Sequence, residues 1–127
     1  MASDEQRALG LAAFLGTAGV MHFVRPEAFD IIVPDWMPGS KRTVTLVSGG
    51  IEIAGALLVA NRRTRKLGAV VCLLTFIGVY PANLQSAISG GTADAPAPFN
   101  SAGAAWARLP LQIPMIRWAR RVYQDQN

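Results

Sequence analysis

Charge is almost absent from three stretches of the chain, and charged or turn-forming residues bound each of them. Residues 8–24 hold no Asp, Glu, Lys or Arg, residues 44–60 hold only Glu52, and residues 67–93 hold none. A membrane-crossing helix needs about 20 predominantly apolar residues, with a lower limit near 17. The pattern predicts spans at about 8–24, 44–60 and 67–88. A fourth and weaker one, at about 102–122, is interrupted by Arg108, Pro110 and Pro114. Pro81 and Pro114 each remove a backbone donor and predict kinks. The fold expected is all-α, a four-helix transmembrane bundle making one domain over 1–127.

The connections fit this division. Residues 25–42 are polar and hold Pro26, Pro34 and the turn signal Pro38-Gly39. Within them, residues 27–32 suit a short surface helix, and Phe29, Trp36 and Met37 suit the headgroup layer. Residues 61–66 form a compact basic turn, and residues 89–107, rich in Gly, Ala, Pro and Ser, read as a loop. Four spans put both termini on one side. That side carries Arg7, Arg62, Arg63, Arg65, Lys66, Arg117, Arg120 and Arg121. The other carries Arg25, Lys41, Arg42 and Arg108. Positive charge gathers on the cytoplasmic side, so both termini are expected there, in the plasma (inner) membrane. The 25–42 and 89–107 segments are then external. Met1 to Arg7 mixes acids and bases and lacks a leader's pattern, so the first run is expected to stay as an uncleaved span.

Composition narrows the class. Of 127 residues, 51% are hydrophobic and only 16% charged, with a mean hydropathy of +0.29. Soluble domains carry about 25% charged residues, so the lipid bilayer is the expected surrounding. The net charge of +4 comes from residues clustered at membrane ends. It is not an exposed basic stripe with interleaved aromatics, which argues against nucleic acid. One cysteine, Cys72, excludes an internal disulfide and any CxxC motif. Its position suits a small core hydrophobe. One histidine, His22, leaves too few soft ligands for a metal site built from protein alone.

Glu52 is the candidate around which the chemistry gathers. An acid near the centre of a span costs roughly 2.5–3.5 kcal/mol, so it faces the bundle interior and needs a partner. Ser48 and Glu52 share a helical face. Tyr80 and Asn83 lie three apart in the outer half of the third span, Arg108 and Gln112 one turn apart in the fourth, and His22 at the outer end of the first. All four spans thus send polar groups to the outer half of the bundle, which predicts a polar pocket opening outward with Glu52 at its floor. Glu52 and His22 are the candidate acid/base groups. Ser48, Tyr80, Asn83, Arg108 and Gln112 are the candidate ligand-binding groups. Most have a structural alternative: Glu52 protonated or paired with Arg108 to fix helix register, His22 an interfacial or capping residue, Tyr80 an interfacial or packing one, Asn83 and Gln112 bonding between helices, and Arg108 reaching for the interface.

Several short motifs in order carry a family resemblance. They are Gly19-Val-Met-His22-Phe23 with Pro26-Glu27-x-Phe29, Ile32-Val33-Pro34 with Pro38, Ser48-Gly49-x-x-Glu52-Ile53 with Gly55, Tyr80-Pro81-Ala82-Asn83, and Arg108-Leu-Pro110-Leu-Gln112. Together the chain resembles the DoxX-like family of small four-helix integral membrane proteins, over about residues 16–118. The resemblance implies a compact transmembrane bundle. It also implies a link to membrane redox chemistry, since relatives are associated with the quinone-linked subunit of a thiosulfate oxidoreductase, with redox assemblies, and with assembly roles. A quinone is the cofactor it suggests, and other membrane redox proteins are the partners. The lack of CxxC argues against a dithiol relay within this chain. Two readings stay open. One is a redox-associated protein with a pocket for a quinone-like or other small amphipathic ligand. The other is a non-catalytic accessory or assembly subunit whose polar cluster is structural. A small transporter subunit, working as an oligomer, is a third.

Overall fold

The structure, a computed structural model, describes residues 3–88 and 102–127. Every regular element among them is helical: α1 (Asp4–Val24), α2 (Pro26–Asp30), α3 (Lys41–Ala60), α4 (Arg65–Gly78), α5 (Tyr80–Ile88) and α6 (Ala102–Gln124). Residues 89–101 of the expected 89–107 loop lie outside the described residues.

The helices run further into polar sequence than charge-free runs suggest, because caps carry them there. Ser3 accepts a hydrogen bond from the Gln6 amide, and the Gln6 side chain accepts one from the Ser3 amide. This reciprocal box starts α1 four residues before the apolar run. Asp4 and Glu5 sit in its first turn, where the helix dipole favours negative charge. Ser40 caps α3 by accepting from the Thr43 amide. Gly39, with φ of 84°, makes the turn just before it. Pro26 ends α1 and takes the first position of α2.

The expected third span is two helices. α4 stops at Gly78, and α5 begins at Tyr80. Pro81 has no amide to give the carbonyl four residues back, and the Val79 amide turns to Thr75 O and Ile77 O at the junction. α6 runs unbroken through Pro110 and Pro114.

Leu11 and Leu15 of α1, Val59 of α3, Cys72 and Phe76 of α4, and Ala119 and Val122 of α6 meet in one core. Cys72 is wholly buried, as its packing role requires. Many large apolar side chains instead face outward, among them Leu9, Phe14, Val20, Leu57, Leu74 and Ile77. Three segments are long and apolar enough to cross a membrane: Asp4–Val24, Lys41–Ala60 and Arg65–Gln85. An outward apolar surface of this extent on such helices is what lipid contact calls for.

One end of the molecule is tied by polar contacts. Arg65 is buried and donates to Val59 O (2.7 Å), Ala60 O (3.2 Å) and Glu5 (2.8 Å). Arg7 donates to Asp125 (2.9 Å), Trp118 Nε1 to Arg7 O (2.9 Å), and Lys66 to Asn127 (2.7 Å). The start of α1, the 61–66 turn and the C-terminal residues therefore come together. They do so away from His22, Glu52 and the 31–40 segment.

Candidate functional site

The site begins with two missing side chains. A Cβ on Gly49 would come within 2.6 Å of His22 Cβ and 3.0 Å of Gly19 O. A Cβ on Gly19 would come within 2.8 Å of Gly49 O and of Ile53 Cγ1. α1 and α3 thus touch backbone to backbone, as small residues permit in helix pairs. This crossing sets His22, one turn beyond Gly19, against Glu52, one turn beyond Gly49.

His22 Nδ1 lies 3.1 Å from Glu52 Oε2 and 2.7 Å from Ala18 O. A carbonyl can only accept, so Nδ1 carries a proton and donates to Ala18 O. Glu52 Oε2 sits beside that N–H without a directed hydrogen bond of its own, and it is fully buried. The contact is therefore electrostatic. Phe29 of α2 stacks on the imidazole, with ring centroids 3.7 Å apart and an interplanar angle of 18°. Each member of the pair is 8% exposed.

Beside this pair lies a cavity of about 360 Å³. α1 gives it His22, α3 gives Thr45, Ser48 and Glu52, the α4–α5 junction gives Gly78, Val79, Pro81, Ala82 and Asn83, and α6 gives Arg108. The rest of the wall is apolar: Phe29, Ile32, Val33, Pro34, Trp36, Met37 and Val44. Its size falls within the range of small-molecule sites, which are concave and mostly apolar with a few placed polar groups.

The structure brings together five of the seven expected site residues: His22, Ser48, Glu52, Asn83 and Arg108. Tyr80 and Gln112 are not in the wall. Tyr80, the first residue of α5, is 38% exposed. Gln112 is buried, 6% exposed, and its Oε1 has no hydrogen-bond partner among the described residues. The ion contact that the structure gives Glu52 is with His22, not Arg108.

Two contributions were missed in the sequence. Thr45 lies one turn before Ser48 on the Glu52 face, and the spacing 45, 48, 52 was a readable signal. Phe29, Trp36 and Met37 also line the cavity, a contact that the sequence did not report. They sit in α2 and irregular chain, where no periodicity reports direction. That chain is pinned by two ion pairs, Asp30–Arg42 (2.9 Å) and Asp35–Lys41 (2.8 Å). Burial acts to raise the pKa of Asp30, but the Thr45 hydroxyl and the Arg42 guanidinium outweigh it, and the carboxyl ends below its ordinary value. The hydrogen bond from Lys41 lowers that of Asp35. No cluster of three or more His, Cys, Asp or Glu residues suited to a metal occurs among the described residues.

No curated protein and no solved structure matches the chain. A family described as a domain of unknown function matches residues 11–123, from within α1 to the last turn of α6, and so includes every wall of the cavity. The chain belongs to this family, DUF8561.

Proposed function

We propose that this chain is a multi-pass protein of the plasma membrane, a four-helix transmembrane bundle with both termini in the cytoplasm. Its cavity binds a quinone-like or similar small amphipathic molecule, in association with membrane redox chemistry. The observation that carries this reading is the mostly apolar cavity with a buried His22–Glu52 contact in its wall. Buried ionisable groups in a membrane segment are costly and mark functional sites by default. Apolar walls suit a ring and its tail, while Ser48, Asn83 and Arg108 offer polar contacts for ring oxygens. The resemblance to the DoxX-like family supports the same ligand class and the redox association.

Trp36 lies in the cavity wall and reports on occupancy. Titrating the purified protein in detergent with a short-chain benzoquinone is expected to quench its fluorescence saturably. Ser48→Trp, which fills the cavity, abolishes the effect. A linear, non-saturating response identical in wild type and Ser48→Trp sinks the reading. An accessory role draws on the same crossing of α1 and α3, since a polar pair beside it also fixes helix register. Stoichiometric co-purification of one partner, with no saturable ligand binding, favours that alternative.

A further inference from the structure

The proton on His22 Nδ1 decides what the cavity offers a ligand. Nδ1 donates to Ala18 O, inside the protein. In the neutral imidazole the other nitrogen, Nε2, is then an acceptor. Nε2 has no hydrogen-bond partner among the described residues, and His22 is part of the cavity wall. Glu52 repeats the arrangement. Its Oε2 is buried beside Nδ1, while Oε1 has no partner among the described residues and Glu52 also lines the cavity. The α1–α3 side of the cavity therefore presents two neighbouring acceptors, Nε2 and Oε1, each on a residue that is 8% exposed.

Neither atom meets a protein donor among the described residues, so a ligand that brings a donor gains a hydrogen bond there. A carbonyl oxygen cannot supply one; a hydroxyl can. We infer that the cavity selects a ring carrying a hydroxyl group, a quinol or related phenol, over the corresponding quinone, with the hydroxyl donating to His22 Nε2 or Glu52 Oε1. Asn83, on the α5 side of the same cavity, has an amide that can donate to an oxygen at the far edge of the ring. This inference rests on the reading that the cavity binds a quinone-like ligand, and it names the redox form that is bound.

The test compares a short-chain benzoquinol, kept reduced under anaerobic conditions, with its benzoquinone on the intact protein in detergent. The two are nearly the same size and differ in the donor. The quinol is expected to bind at least tenfold more tightly, and His22→Phe, which keeps the stacking on Phe29 but removes Nε2, is expected to bring the ratio below about threefold. Equal affinities, or tighter binding of the quinone, overturn the inference and leave a quinone-like ligand in place. Binding of neither form overturns both. The wild-type comparison stands even where His22→Phe does not fold.

Discussion

At the scale of the residue, the glycines of the α1–α3 crossing matter as much as the acid they flank. Gly49 and Gly50 are adjacent, yet an added Cβ at 49 meets His22 Cβ at 2.6 Å while one at 50 meets nothing within 4 Å. Gly49→Ala is expected to overpack the crossing, which costs about 1–3 kcal/mol in a packed interior. Gly50→Ala gains up to about 1 kcal/mol from helix propensity. Thermal melts of the two variants in one detergent should therefore move in opposite directions. Equal shifts would mean that the helices do not approach this closely. Glu52 was legible from the sequence because an acid in an apolar run is conspicuous. Its partner was not. His22 lies at the end of another helix, and only the volume left open by Gly19 and Gly49 brings the two within 3.1 Å. Sequence reasoning offered Arg108 as one alternative partner for Glu52 because it counted charge and depth, and neither resolves which helices cross.

At the scale of the element, α1 and α3 follow the charge-free runs closely, with starts set by caps that hydropathy does not report, and α6 covers the weaker fourth run with its four arginines. Ser3 and Ser40 each draw polar residues into a helix. The third apolar run was read as one kinked helix; α4 and α5 meet at Val79, and Arg65–Gln85 together is long and apolar enough to cross a membrane. Hydropathy is the same for one bent helix and two short ones; the difference lies in where the amides near Pro81 find acceptors. The 31–40 segment, which roofs the cavity with Pro34, Trp36 and Met37, is held by Asp30–Arg42 and Asp35–Lys41. Both acids titrate below their ordinary values. A carboxyl depressed by folding contributes stability that is fully present above the unfolded pKa, near 3.9. That contribution is lost as pH falls through the lower folded value. Trp36 is 63% exposed. Its emission is expected to hold constant from pH 7 to about pH 5 and to shift only below about pH 4. Asp30→Asn and Asp35→Asn together should flatten that shift. A transition centred near pH 6 would assign the roof to other groups.

At the scale of the whole molecule, charge divides the chain into two unlike ends. Glu5, Arg62 and Arg65 meet at one end, as do Arg7, Arg121 and Asp125. Arg63, Arg117 and Arg120 remain exposed there with no acid partner among the described residues. The cavity lies towards the other end, with Asp30, Asp35, Lys41 and Arg42 balanced in pairs. Positive charge in short loops stays in the cytoplasm, so the two ends should label from opposite sides of the membrane. Single cysteines at Arg63 and Gln126 are expected to react with a membrane-impermeant thiol reagent only from the cytoplasmic face, and one at Asp35 only from the outside. Cys72 is fully buried and should stay silent in all three. Labelling of positions 63 and 35 from the same face would refute this topology.

The Gly19–Gly49 contact has a consequence for how related chains are to be compared. The spacing between the imidazole and the carboxyl is fixed by atoms that are missing, two β-carbons, and by the two main chains that close over the gap. A comparison of polar side chains alone would score a relative with alanine at position 49 as possessing the same pair. Its helices would stand further apart, and the pair would be open to water or out of contact. Identity of this site is a property of shape before it is one of functional groups.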